Sequence, residues 1–304
     1  MTRKIDIMLF DPAGNFTIFV LTPTPVSDYQ EVASKVLEID FKARYGTSFE
    51  QGVDLDEIKG EQVAFVLEEP RDGYPAMNMC GLEFCGNASR SFAYLVAAMN
   101  RKAAKEGTNS TDANPQVQEV KVSVSGCDYS LTTFVDIEHN RSKIQMPTPS
   151  GHKVFTSEEL GLAEEFPDAG DGILVDMDGI SHLVLKDIPA TPERFEQLKE
   201  FLYTKVDSTF PAIGVMFYDT KKDFLTPVVY VKDVDTTYFE GSCASGTTST
   251  SYVMALNLPD GTHEMTFRQP AGTLYTEVIK DSGRLIEIRL DGVVEMTDVF
   301  TVEV

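Results

Sequence analysis

The chain has 304 residues, 42% hydrophobic and 24% charged, with 26 basic against 48 acidic residues for a formal net charge of −22. That length exceeds a typical single core and predicts two domains, while the acidic balance argues against nucleic acid or an anionic membrane surface as partner. No apolar run reaches the roughly 18 residues of a membrane span. The opening Met1 to Ile7 alternates like a strand instead of forming an apolar leader, so a cytoplasmic location is expected.

Residues 4–22 read as a hairpin, with Ile5, Ile7 and Leu9 alternating before the turn Asp11-Pro12-Ala13-Gly14 and Phe16, Ile18 and Val20 after it. Ser27 is placed to cap a helix running to about residue 38. Strands are expected at 61–68, 117–125, 129–136 and 142–146, with a helix at 86–99 and a polar helix end and loop over 100–116. The turn from Met146 to Gly151 is the best candidate for a domain crossing.

The second half repeats this order loosely. Strands at 172–177 and 181–186 precede a helix over 192–204, for which Thr191 as cap and Pro192 at the first helical position are strong start signals. Strands follow at 212–218 and 226–231, then a helix over 244–257 that stops near Pro259. Four strands close the chain, at 263–268, 274–279, 284–289 and 293–303. The recurrence suggests internal duplication.

Two short cysteine motifs stand 158 residues apart, Phe84-Cys85-Gly86-Asn87-Ala88-Ser89 and Ser242-Cys243-Ala244-Ser245-Gly246-Thr247. Each places a thiol before small residues that open a helix, where the leading N–H groups lack partners. Such a position favours thiolate and seats a carboxylate. A buried cysteine packing at a helix end explains either motif alone, but explains two in matching contexts poorly. Cys85 and Cys243 are therefore the candidate acid and base for inverting an α-carbon, one removing its proton and the other delivering one to the opposite face. The amides of Gly86, Asn87, Ala244 and Ser245 would hold the substrate carboxylate and the enolate charge that develops on it. The four cysteines show no C-x-x-C spacing, and Cys80 and Cys127 read as structural.

These residues resemble the diaminopimelate epimerase family, which includes proline racemases and related cofactor-independent isomerases. Its signatures look like Cys-Gly-Asn-Gly and Cys-Gly-Ser-Gly. Further matches are Gly14-Asn15-Phe16, Glu61-Gln62, His182 and Pro270-Ala271-Gly272-Thr273-Leu274, so that the resemblance covers the whole chain. It implies an α+β fold of two pseudo-symmetric domains, each a curved, mostly antiparallel sheet around a central helix. They would span 1–147 and 148–292, with the strand 293–304 returning to the first. It also implies an isomerase that needs neither pyridoxal phosphate nor a metal and acts on a small amino acid. Oligomeric state stays open, a homodimer included.

Departures from the family narrow the substrate. Where diaminopimelate epimerases have Gly-Asn-Pro-His, this chain has Gly179-Ile180-Ser181-His182, and its stretch Tyr238-Phe239-Glu240-Gly241-Ser242 carries no arginine. A second carboxylate thus loses its natural bidentate partner. Within the family, Asp11 to Ile18, Glu61-Gln62-Val63, Glu83 to Ala88, Val124 to Cys127 and Glu240 to Cys243 are most similar to the histidine racemase subfamily of staphylopine-type metallophore pathways. That similarity makes Glu61 the candidate partner of an imidazole N–H, with Asn15 and Glu240 ordering the amino group or the motif loops. Diaminopimelate epimerase, proline racemase or hydroxyproline epimerase, and a catalytically silent amino acid binding protein stand as alternatives. Retention of both thiols argues against the last.

Overall fold

The computed structural model describes residues 3–46, 49, 56–107 and 116–304. The chain divides into two compact units, Met1–Gln145 with Asp291–Val304, and Met146–Leu290.

In the first unit, β1 (Lys4–Asp11) and β2 (Thr17–Val20) form the expected antiparallel hairpin, Ile7 opposite Val20. Its turn holds Ala13 and Gly14 at φ 69° and 88°, and Gly14 N–H donates to the Asp11 carboxylate. The helix α1 (Tyr29–Val36) carries the chain to β3 (Gln62–Val66), which lies parallel to β2 and needs such a crossover. Ser27 does not cap α1. A 3-10 turn over Val26–Asp28 intervenes after Pro25, and the Ser27 hydroxyl bonds to Asp28 instead. A short helix, α2 (Phe41–Tyr45), is capped by Asp40, whose carboxylate accepts from Lys42 and Ala43 N–H.

The strand β4 (Ala76–Met79) runs antiparallel to β3. The first motif helix, α3 (Gly86–Gly107), extends beyond its expected end at 99, because the sequence after it is polar yet still helix-forming; the rest of the expected loop, 108–115, lies outside the described residues. It leads to β5 (Val117–Val124), parallel to β4, followed by antiparallel β6 (Leu131–Asp136) and β7 (Arg141–Met146).

The second unit opens with β8 (Gly151–Phe155) beside β9 (Gly172–Met177). From β9 the first unit's succession recurs. Antiparallel β10 (Ile180–Lys186) is followed by α4 (Pro192–Phe201), and then by β11 (Ala212–Asp219), parallel to β10. Thr191 caps α4 as expected, accepting Arg194 N–H, and a π turn over Leu202–Val206 continues it. Next come antiparallel β12 (Phe224–Val231) and the short β13 (Thr236–Phe239). The second motif helix, α5 (Ala244–Ala255), crosses to β14 (Gly261–Gln269), which meets β12 in parallel. The strands β15 (Gly272–Asp281) and β16 (Arg284–Val293) follow. Both units thus alternate antiparallel hairpins with helical crossovers between parallel strands, so the sheets are mixed.

The second unit's central strands are buried on both faces. Leu183, Leu185, Ile213 and Val215 pack with Phe195 and Leu198 of α4, while Val184, Met216, Val229 and Phe267 pack on the side of α5. Such strands read as unbroken apolar runs because neither face meets water.

The motif helix α5 is buried without an apolar stripe. Thr247, Thr248, Thr250 and Ser251 each donate a hydroxyl to the carbonyl four residues back, at 2.6 to 2.9 Å. Self-satisfied hydroxyls remove the penalty of burying polar groups. At its C-terminal end, Lys280 Nζ on β15 donates to Ala255, Leu256 and Leu258 carbonyls at 2.8, 3.2 and 2.7 Å.

The last residues pair with β1 as β17 (Glu295–Met296) and β18 (Phe300–Glu303), not as one strand over 293–303. Thr297 breaks the ladder: its hydroxyl oxygen replaces a carbonyl as acceptor for Leu9 N–H at 3.0 Å. Among the described residues no helix is long and apolar enough to cross a membrane.

Candidate active site

Each cysteine stands one residue before its helix, and the two helix starts are built alike. Cys85 Sγ accepts the Ala88 N–H at 3.4 Å, and Cys243 Sγ accepts the Gly246 N–H at 3.4 Å. Each sulfur takes the place of a capping oxygen, bonding the third amide of the helix. The Cys85 carbonyl accepts the Ser89 N–H and hydroxyl at 2.9 and 2.7 Å, and the Cys243 carbonyl accepts the same groups of Thr247 at 3.0 and 2.6 Å.

Burial pushes the Cys85 thiol up to about 11. Gln62 and the amides of Ala88 and Asn87 oppose the rise by donating to the sulfur, while Glu83 adds to it. Cys243 is raised well above the ordinary thiol range, first by burial and then by the Glu240 carboxylate, against the pull of the Gly246 amide. Each thiol thus has both donors and an anion near it, with more donors at Cys85 and a directly bonded carboxylate at Cys243.

Around Cys85 the structure gathers Asn15, Glu61, Gly86 and Asn87. Asn15 Oδ1 accepts from Gln62 Nε2 at 2.6 Å and Asn87 Nδ2 at 3.4 Å, and its Nδ2 donates to Glu61 Oε2 at 3.0 Å. Glu61 is solvent-accessible, yet surrounding protein desolvates its carboxyl and raises its pKa despite the bond from Asn15. Around Cys243 stand Ala244, Ser245 and Glu240, whose N–H donates to Pro227 O at 3.0 Å.

Sequence reasoning did not assign four side chains that shape these sites. Gln62 joins Asn15 to Cys85 and also donates to Thr17 Oγ1 at 2.8 Å. Arg90 is fully buried and donates to Pro12 O at 2.6 Å, Val293 O at 3.1 Å and Asn87 Oδ1 at 3.4 Å. Gln269 accepts the Cys243 N–H at 2.9 Å and donates to Thr247 Oγ1 at 3.0 Å. His182, fully buried, lies beside Ser245 and Ser249, and burial holds its pKa down to about 3. The available signal for Gln62 and His182 was their place in the family resemblance, whereas Gln269 closes β14, a strand of mixed polarity. Among the described residues, no three His, Cys, Asp or Glu side chains gather as metal ligands would.

Solved structures share this fold over nearly their whole length. A Bacillus anthracis phenazine biosynthesis protein of the PhzF family aligns with a TM-score of 0.63 at 14% identity, covering 99% of each chain. A hydroxyproline epimerase from Agrobacterium vitis, with bound trans-4-hydroxy-L-proline, aligns at 0.58 and 9% identity over 99% of this chain and 91% of its own. The expected diaminopimelate epimerase-like fold is therefore close to what is seen, refined to a sheet-rich α+β architecture of the PhzF and proline racemase kind.

The family model described as the histidine racemase CntK N-terminal domain matches residues 4–299, and the chain belongs to that family. Histidine racemase from Fusobacterium nucleatum is 28% identical over 253 residues, 83% of this chain and 82% of its own. Histidine racemase from Staphylococcus aureus is 24% identical over 279 residues, 90% of this chain and 89% of its own. The protein is an amino acid racemase, an isomerase of the racemase and epimerase class.

Proposed function

We propose that the chain racemises histidine without a cofactor, Cys85 and Cys243 acting on opposite faces of the α-carbon. The observation that carries this reading is the matched pair of capping sulfurs, each accepting the third amide of its helix at 3.4 Å. A thiolate takes the α-proton while the other thiol gives its proton to the opposite face, so one S–H bond forms as one breaks. The leading amides at Gly86, Ala244 and Ser245 suit a carboxylate and the negative charge that grows on it, while the Asn87 amide serves the Cys85 sulfur. Gln62 and the amides of Ala88 and Asn87 stabilise thiolate at Cys85.

Histidine is favoured by the family and by Glu61. Asn15 Nδ2 donates to Glu61 Oε2 and the Phe16 N–H also bonds the carboxylate, whose remaining lone pairs can accept an imidazole N–H. Asn15 and Glu240 order the motif loops and the substrate amino group.

The test incubates L-histidine with the enzyme in D2O, reading α-deuteration by NMR and D-product by chiral chromatography. Cys85→Ser and Cys243→Ser should each abolish racemisation, because a hydroxyl is a far weaker base than a thiolate. Faster turnover of proline or diaminopimelate would replace the substrate, and near-normal turnover by either variant would remove the two-thiol mechanism.

A further inference from the structure

Five consecutive hydroxyl residues, Thr247 to Ser251, lie fully buried on α5, and four of them bond back along the helix. Ser249 breaks the pattern. Its Oγ lies 3.1 Å from Met177 Sδ and 3.0 Å from His182 Nδ1. The other ring nitrogen, His182 Nε2, lies 3.4 Å from Ser245 Oγ, which is 3.6 Å from Cys243 Sγ. An unbroken polar chain therefore runs from the thiol through Ser245, His182 and Ser249 to a thioether.

The chemistry at its far end gives the chain a direction. A thioether accepts hydrogen bonds and never donates, and Ser249 has one hydroxyl proton. With that proton on Met177 Sδ, Ser249 Oγ must accept from His182 Nδ1–H. The neutral ring then presents a lone pair at Nε2 and accepts the Ser245 hydroxyl proton. Ser245 Oγ then has no proton to offer a Cys243 thiolate. Gly214 keeps the ring in place, since a β-carbon there would lie 2.6 Å from His182 Cδ2. Outside this polar chain, the Glu240 carboxylate acts on Cys243 both as a nearby anion and as a hydrogen-bond acceptor, and both effects favour thiol, while among the described residues no charged group acts on His182.

We propose that Ser249 and Met177 are positioning residues that lock His182 in its Nδ1–H tautomer and thereby hold Cys243 as the protonated member of the pair in the free enzyme. Cys85, whose sulfur accepts from Gln62 and from the Ala88 and Asn87 amides against the nearby Glu83 charge, is then the thiol that ionises first. This assignment rests on the racemase reading only for its catalytic meaning, because the hydrogen-bond order exists without substrate.

The test uses the whole chain without substrate. Nitrogen-15 NMR reads the tautomer of His182, one of only four histidines, and iodoacetamide with peptide mass spectrometry reads the pH midpoint of alkylation at each motif cysteine. Met177→Leu is nearly isosteric and removes the thioether acceptor. Ser249 then donates to Nδ1, the proton moves to Nε2, and Ser245 turns its hydroxyl toward sulfur. The Cys243 midpoint should fall by about one pH unit, the size of one hydrogen bond gained by thiolate. The Cys85 midpoint should stay put. Ser249→Ala should give a mixture of tautomers and a smaller shift. An Nε2–H ring in the wild type, or an unchanged Cys243 midpoint in folded Met177→Leu, would overturn the proposal. Absence of histidine turnover leaves these readouts intact and would instead count against the racemase reading.

Discussion

Asn15 Nδ2 donates to Glu61 Oε2 at 3.0 Å, while Asn15 Oδ1 accepts from Gln62 and Asn87. One amide therefore fixes both the Glu61 carboxylate and the first residues of the Cys85 helix, and its own orientation is settled by the three contacts. Glu61→Gln should retain much of this network, because the amide oxygen can still accept from Asn15. It should nevertheless weaken histidine recognition, since a charge-assisted bond to imidazole is worth about 1.5–3 kcal/mol. The expected fall in kcat/KM for histidine is about ten- to a hundredfold. Steady-state kinetics with histidine and a non-imidazole amino acid check it, and equal losses for both would make Glu61 a general catalytic or structural residue.

Arg90 should be a stability residue whose loss also disorders the first site. Burial lowers its pKa to about 10, so it remains cationic near neutrality, with Asp11 and Asp291 as counter-charges. Arg90→Met would strand the Pro12 and Val293 carbonyls and leave buried acid uncompensated. Breaking a buried charge arrangement from one side costs about 3–5 kcal/mol. Urea denaturation of the two proteins measures it, and a change below 1 kcal/mol, roughly the surface-substitution range, would contradict this role.

Stability should fall in alkali because of Cys85. Its folded thiol titrates at about 11, whereas an unfolded cysteine titrates near about 8.5. Between those values the unfolded chain has released a proton that the folded chain still holds, so stability decreases as pH rises. The contribution is complete below pH of about 8.5 and exhausted beyond the folded value. Unfolding free energies of wild type and Cys85→Ala, measured across this range, should differ in slope by about one proton, the wild type falling more steeply. Parallel slopes would mean that the buried thiol titrates normally.

Lys280 should anchor α5 from its far end. Its ammonium donates to three carbonyls at and just beyond the helix C-terminus, of which Ala255 O also accepts the Leu258 N–H. Lys280→Met keeps the stem but removes the donors, with an expected loss of about 2–3 kcal/mol. Thermal unfolding reads the loss, and an unchanged midpoint would show that water serves those carbonyls equally well.

Local signals carried much of the architecture. Thr191 followed by Pro192 announced a helix start that the structure shows, because a cap and its helix are neighbours in sequence. The alternation of Ile5, Ile7 and Leu9 announced β1 for the same reason. Ser27 misled because Pro25 starts a 3-10 turn that postpones the helix. Arg90 could not be assigned from sequence, since its acceptors Pro12 and Val293 lie 78 and 203 residues away. The cysteine motifs stood out because they recur, whereas Gln62 and Gln269 occur in unlike strands and act only through folding.

Met216 packs its sulfur directly beneath Gly246, so closely that the position has no space for a methyl group. Fully buried on β11, it forms the floor on which the Cys243 helix start rests. Oxidation of that thioether would insert an oxygen into occupied space and force the helix start to move. Peroxide that reaches this depth therefore leaves two kinds of lesion. A thiol reductant reverses disulfides and sulfenic acids at the cysteines, but a sulfoxide at Met216 needs a methionine sulfoxide reductase acting on a buried side chain. The recovery of activity after oxidative stress is then set by how often the second unit opens, and not by the redox state of its cysteine alone.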